Sequence, residues 1–162
     1  MCEFLDKNNQ VIGVVSRKEA RKNKYKLKAA LTIVTNSKKQ YLAAQRSPNK
    51  KIFPLLWALG AGGAVTAGET FETAAKRELF EELGVDSKVD YLFDFEYKDH
   101  FGGYYAKIFV ANWDGKIKLD PIEYTTGKWL SEKGVLKLAT EKKLAPDTEI
   151  FFKKFLLLKK KE

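Results

Sequence analysis

The chain has 162 residues, 44% of them hydrophobic and 13% aromatic, with a formal net charge of +9. That length and composition suit one folded domain with a real core and exclude a disordered chain. A single histidine, His100, excludes any site built on several imidazoles, and a single cysteine, Cys2, excludes an intramolecular disulfide.

These counts carry further expectations. A metal, if one is used, must be held by carboxylates and carbonyls, which favours Mg²⁺ or Mn²⁺ over zinc. The longest apolar run near the C-terminus, Phe155 to Leu158, is far too short to cross a bilayer. The N-terminus shows no apolar stretch with a cleavage site, and with the lone cysteine this points to a cytoplasmic protein. The positive charge reads first as scattered surface lysines, densest at Lys159-Lys160-Lys161. Its second reading is attraction to anionic substrates, nucleic acid included.

Taken in chain order, Phe4-Leu5-Asp6, a polar turn over Lys7 to Gln10, and Val11 to Val15 predict a hairpin. Ser16 is placed to cap a short basic helix running through Arg21 to Lys24. A strand over Ala29 to Val34 turns at Asn36 to Lys39 and returns as Tyr41 to Ala44. An irregular segment with Pro48 and Pro54 follows, and Gly60-Ala61-Gly62-Gly63 reads as a flexible point before the short run Ala64-Val65. The clearest helix runs from near Thr70 to Leu83. Its apolar residues Phe71, Ala74, Ala75, Leu79 and Leu83 recur at helical spacing, with Thr70 as N-cap and Gly84 as left-handed C-cap. Tyr91 to Tyr97 and Tyr104 to Val110 predict paired strands around Phe101-Gly102-Gly103, and Lys128-Trp129-Leu130 another strand. Ser131 starts a short helix. Asp147, after Pro146, is the expected N-cap of a last helix with Phe151, Phe152, Phe155 and Leu156 on one side. No repeat or linker interrupts the chain, so the expectation is one domain over residues 1–162 with an N-terminal hairpin extension of about 1–26. Strands on either side of a central helix, and a last helix to cover the other face, fit a mixed sheet between helices.

The chemistry concentrates between Gly63 and Val85: Gly63, five residues, Glu69, seven residues, Arg77-Glu78-Leu79, one residue, Glu81-Glu82, one residue, Gly84-Val85. Glu78, Glu81 and Glu82 stand at i, i+3 and i+4, which gathers three carboxylates within roughly a third of the helix circumference. Like charges so close repel, and a divalent cation with phosphates and waters removes the penalty. Arg77 can reach back to pair with Glu69. Gly62 and Gly63 allow close backbone approach, so a carbonyl could also bind the metal. Three glutamates alone read first as a solvated acidic face, with Arg77 and Lys76 as counter-ions. Seven fixed residues of about 0.07 frequency each arise by chance about once in 10⁸ windows, which decides against that bland reading.

The segment resembles the Nudix box at every defining position. The resemblance implies an α+β fold of the Nudix kind, an α/β/α sandwich with a central mixed sheet. It implies Glu78 and Glu82 as primary metal ligands, Glu81 assisting, the Gly62 carbonyl as a backbone ligand, and Mg²⁺, replaceable by Mn²⁺, as the ion. Catalytic roles fall to Glu69, held by Arg77, with Glu81, and to Glu123, six residues before Trp129, as a further metal or base glutamate. Arg46 and Lys50 or Lys51 are candidates to hold substrate phosphates, the two lysines reading also as surface charge. Asp6, Val11-Ile12-Gly13, Arg17 to Ala20, Gln45-Arg46, Phe53-Pro54, Trp129-Leu130 and Ala145-Pro146-Asp147 look like the Nudix subgroup related to isopentenyl-diphosphate isomerase. Two positions depart from it: Leu55 stands where the subgroup has a glycine, and Ala58 where it has an aspartate, which touches substrate contacts rather than the metal site.

The implied function is Mg²⁺-dependent hydrolysis of the phosphoanhydride bond in a nucleoside diphosphate linked to another group, with Glu69 or Glu123 taking a proton from water. The isomerase needs a cysteine and histidines where this chain has Ala61 and Gly63. A non-catalytic module binding a nucleotide or RNA is a rival of another class, weakened because every box glutamate is present. Trp57, Tyr97, Phe101, Tyr104 and Tyr105 read as packing residues before base-stacking ones, and His100 as a solvated loop residue.

Overall fold

The computed structural model describes residues 1–161. Nine strands and four helices follow in the order β1 (Cys2–Leu5), β2 (Val11–Val15), α1 (Arg17–Asn23), β3 (Lys26–Thr35), β4 (Tyr41–Arg46), β5 (Trp57–Leu59), β6 (Ala61–Ala64), α2 (Phe71–Leu83), β7 (Asp90–Tyr97), β8 (Tyr104–Asn112), β9 (Tyr124–Leu130), α3 (Glu132–Thr140) and α4 (Pro146–Lys159).

Local chemistry sets the turns. Asp6 Oδ1 accepts the Asn8 and Gln10 N–H groups, at 2.8 and 3.0 Å, and closes the β1–β2 hairpin. Asn36 Oδ1 does the same for Lys38 and Gln40 between β3 and β4, each side chain standing in for a backbone acceptor. Ser16, Thr70 and Ser131 cap α1, α2 and α3 through their side-chain oxygens, each worth about 1 kcal/mol. Gly84 ends α2 at φ +68°, where glycine carries no Cβ penalty.

All nine strands belong to one mixed sheet. β3 lies at its centre, parallel to β8 along its whole length from Leu27↔Tyr104 to Thr35↔Asn112. Its other edge is shared by β1, by β6 and, at Thr35↔Tyr41, by β4. β4 then pairs antiparallel with both β5 and β9. Alternation along β3 divides the core. Ala29 and Ile33 join Phe93, Phe95 and Ile108 beneath α3 and α4, where Val135, Phe151, Phe152 and Phe155 are buried. Ala30 and Val34 face Ala74, Ala75, Leu79 and Leu83 of α2. Helices therefore cover both faces of the sheet, an α/β/α sandwich.

Two expectations are corrected. The glycine segment at 60–63 is no flexible point: Gly60 turns the chain at φ +63°, and Ala61–Ala64 pairs with Ala29–Thr32 of β3. Small residues are required because β6 is squeezed between β3 and α2; a Cβ on Gly63 would meet Glu78 Oε1 at 2.5 Å. Nor does Asp147 cap α4. The helix begins at Pro146 after Ala145, with no side-chain cap, since proline at N1 needs no N–H acceptor. Asp147 instead accepts the Tyr104 hydroxyl at 2.6 Å.

Candidate active site

A cleft of about 720 Å³ opens over the C-terminal half of α2. Glu78, Glu81 and Glu82 line it, because the i, i+3, i+4 spacing sets them on one face while Leu79 and Leu83 turn into the core. Glu78 and Glu82 are only 7% and 5% exposed, whereas Glu81 is open to solvent. Such burial of two carboxylates is rare without a partner.

Their existing partners are few. Arg77 donates to Glu69 through Nε at 2.8 Å and Nη2 at 3.0 Å, and its Nη1 reaches Glu78 at 2.8 Å and Glu81 at 3.3 Å. Glu82 Oε1 accepts the Gly62 N–H at 2.9 Å and the Tyr124 hydroxyl at 3.2 Å. Burial, then the charge of Glu78, pushes the Glu82 carboxyl up to about 8. Burial also raises Glu78, against the favourable charges of Arg77 and Arg17. Hydrogen bonds from Arg77 hold Glu69 below the usual carboxylate range although burial opposes this.

The other wall of the cleft comes from distant parts of the chain. Arg46 ends β4, with its Nε fixed on the Ile52 carbonyl at 2.9 Å; Lys50 and Lys51 follow in the next loop, and Lys50 pairs with Glu123 at 2.7 Å. Glu123 precedes β9 and lies close enough for its charge to raise Glu82. Thus Gly62, Arg77, Glu78, Glu81, Glu82, Glu123, Arg46 and Lys51 share one cleft. Glu69 does not line it: the carboxylate lies behind Arg77, with Oε2 also accepting the Thr66 N–H.

The sequence reading missed Arg17 and Arg21 of α1, which wall the cleft from the N-terminal segment, and Tyr124, which reaches Glu82. A basic residue in a basic helix looks the same whether solvated or facing a site. Of the aromatic candidates, Phe101 and Tyr104 line the cleft, while Trp57 packs beneath Lys128 and Tyr97 against Phe53 and Phe95. Leu55 is outside the cleft and Ala58 lines it.

The donor set fits a hard divalent ion. Two desolvated carboxylates, a third exposed one and Glu123 offer oxygen only. Among the described residues, no three acidic, imidazole or thiol side chains close into a protein-only cage. An open cradle of this kind suits an ion that keeps waters and substrate oxygens among its ligands.

The NUDIX domain family model matches residues 25–155. An uncharacterized Nudix hydrolase of Pseudomonas aeruginosa, PA4841, is 26% identical over 149 residues, covering 91% of this chain and 88% of that protein. An isopentenyl-diphosphate Delta-isomerase of Nocardia farcinica is 30% identical over 147 residues, covering 86% and 84%. Among solved structures, DR0079 of Deinococcus radiodurans superposes with a TM-score of 0.75 at 24% identity, over 89% of this chain and 91% of that one. A bifunctional NMN adenylyltransferase/ADP ribose pyrophosphatase of Francisella tularensis, complexed with AMP and a Mn ion, gives 0.64 at 20% identity, over 81% and 41%. The match of the family model across most of the chain, around the acidic face of α2, makes this chain a member of the Nudix hydrolase family.

Proposed function

We propose that the chain is a Mg²⁺-dependent hydrolase of the phosphoanhydride bond in a nucleoside diphosphate linked to another group. The observation that carries this is the pair Glu78 and Glu82, desolvated on one face of α2 and lining a cleft that Arg46 and Lys51 also line. Buried carboxylates and cationic side chains in one cleft match a metal-bound diphosphate, not a neutral ligand. The AMP and Mn ion held by a similarly folded protein support the nucleotide and divalent-metal parts of this reading.

Glu78, Glu82, Glu81 and the Gly62 carbonyl would hold the ion, which when bound supplies charge neutralisation and an activated water. Mn²⁺ offers the same coordination chemistry. Arg46 and Lys51 bind and orient the phosphates. Of the two candidate bases, Glu123 is favoured over Glu69. Glu123 lines the cleft with one ion-pair partner, Lys50, whereas both Glu69 oxygens are engaged behind Arg77, where its affinity for a proton is lowered. Glu69 and Arg77 then act by fixing the entry to α2. The unit spans residues 1–162, with the extension of about 1–26 contributing Arg17 and Arg21 to the cleft wall. Hydrolysis is favoured over isomerisation by Ala61 and Gly63, both in the cleft where the resemblance places the isomerase's cysteine and histidine, and by His100, exposed in the β7–β8 loop.

The test is a screen with Mg²⁺ or Mn²⁺ over nucleoside di- and triphosphates, nucleotide sugars, dinucleoside polyphosphates and coenzymes, with the phosphomonoester products of anhydride cleavage read as inorganic phosphate after a coupling phosphatase. Turnover of one class is expected, abolished in Glu82→Gln. Glu123→Gln should lower kcat about 10²–10⁴-fold with KM little changed, and Glu69→Gln should lower thermal stability more than kcat. Metal-dependent binding of a nucleotide without turnover of any compound would overturn hydrolysis in favour of a binding module.

A further inference from the structure

The hydroxyl of Tyr124, a residue that lines the cleft, has no part in the proposed chemistry. Its residue is 5% exposed, and the hydroxyl stands 3.2 Å from Glu82 Oε1 and 3.5 Å from the Gly60 carbonyl, so its one proton goes to the nearer carboxylate.

The ring arrives there through an irregularity in β9. Trp129 and Tyr124 both pack on the α2 face, although they stand five positions apart and strict alternation would turn them to opposite faces. The pairing of β4 with β9 shifts between Gln45↔Thr126 and Arg46↔Tyr124. Thr125 is the extra residue, and the bulge turns Tyr124 from the α3/α4 face toward Glu82. Bulges next to sites commonly re-aim one side chain in this way.

Tyr124 also belongs to a segment tied to Glu82 a second time. The Asp120 N–H donates to the Glu82 carbonyl at 2.9 Å, and the Asp120 carbonyl accepts the N–H groups of Glu123 and Tyr124 at 3.1 and 2.9 Å. The loop that carries Glu123 is thus anchored to Glu82 by that residue's backbone and side chain, beside a further bond from the Lys118 N–H to the Leu83 carbonyl at 2.9 Å. With Gly62 N–H and Tyr124 O–H both on Oε1, Glu82 presents Oε2 with no hydrogen bond among the described residues.

We infer that Tyr124 is a positioning residue for the metal centre: its hydroxyl fixes the Glu82 carboxylate so that Oε2 faces the cleft, and it holds the Glu123 loop in register with α2. This rests on the metal-dependent hydrolase reading above. Removing an outer partner of a metal ligand typically weakens metal binding 10–100-fold.

The test is a Mn²⁺ titration of the metal-free full chain, with free Mn²⁺ read from its paramagnetic resonance signal, for wild type, Tyr124→Phe, Tyr124→Met and Glu82→Gln. Tyr124→Phe keeps the buried ring and should raise the Mn²⁺ dissociation constant about tenfold. At saturating Mn²⁺ its substrate KM should match wild type. Tyr124→Met packs differently but equally lacks the donor, and should show the same loss of affinity whatever its Tm. Wild-type affinity in Tyr124→Phe, or affinities that follow Tm across the two variants, would overturn the inference and leave Tyr124 a core residue. Wild type binding Mn²⁺ no better than Glu82→Gln would instead defeat the metal-centre reading itself.

Discussion

At the scale of single residues, the backbone of the Pro54 loop keeps a conformation its sequence does not favour. Leu55 has φ +66°, with its N–H on the Arg46 carbonyl at 3.1 Å and its carbonyl accepting from Gln45 Nε2 at 3.1 Å. These bonds on both sides hold the residue in the left-handed region, where an L side chain costs about 1–2 kcal/mol. The side chain is 52% exposed and lies outside the cleft, so it returns little packing energy. Leu55→Gly should therefore stabilise the chain by about 0.5–1 kcal/mol, after the larger entropy of a glycine in the unfolded chain is subtracted. Urea unfolding should show a raised midpoint with the slope unchanged; a lowered midpoint would mean that the leucine side chain holds the loop. Ala58 is different, because of the two departures from the subgroup pattern it is the one that lines the cleft.

At the scale of elements, the site is the packing of α2 on β6. Gly63 lies against the buried carboxylate of Glu78, and a Cβ there would meet Oε1 at 2.5 Å and Cδ at 2.7 Å. Glu78 cannot withdraw into the core, since Arg77 Nη1 holds the same oxygen and its helix turn is buried. Gly63→Ala should push the carboxylate out of place, destabilise the fold by about 1–3 kcal/mol as overpacking does, and lower turnover at least tenfold at saturating metal. Unchanged turnover would show that Glu78 moves freely. This contact also marks the limit of what the sequence discloses. Between Gly63 and Val85 every chemical residue is near in the chain, so helical spacing alone gathers Glu78, Glu81 and Glu82, and the caps at Thr70 and Gly84 are local hydrogen bonding. Arg17, Arg46, Lys50 and Glu123 converge only because β4 pairs with β9 and α1 packs at the mouth, and sheet order has no local signature. Tyr124 escapes for the same reason, since an alternation pattern cannot disclose a bulge. Gly60 to Gly63 misleads because glycine marks either a break or a close approach, and only the neighbouring strand decides which.

At the scale of the molecule, a chain of net charge +9 carries its buried anions in one place, and its stability should record this through pH. Burial and the charge of Glu78 raise the Glu82 carboxyl from 4.5 to about 8 in the folded state. Between those values the metal-free folded protein holds a proton that the unfolded chain has released, so raising the pH favours unfolding. The penalty is absent below about 4.5, grows through the window and is complete above about 8. Glu78, raised in the same direction, adds to it. The lowered carboxyls of Glu69 and Glu3 titrate below this window and do not offset it. Thermal unfolding of the metal-free chain should therefore show Tm falling by several degrees from pH 5 to pH 8, at about 2–4 °C per kcal/mol for a chain of this size. Saturating Mg²⁺ should raise Tm most at the alkaline end, because the ion binds the folded carboxylates and must compete with a proton at the acid end. The two curves should diverge with pH. A Tm that stays level or rises over that range without metal would show that Glu82 is ionised at no cost, and the buried acidic floor would lose its reason to recruit a cation.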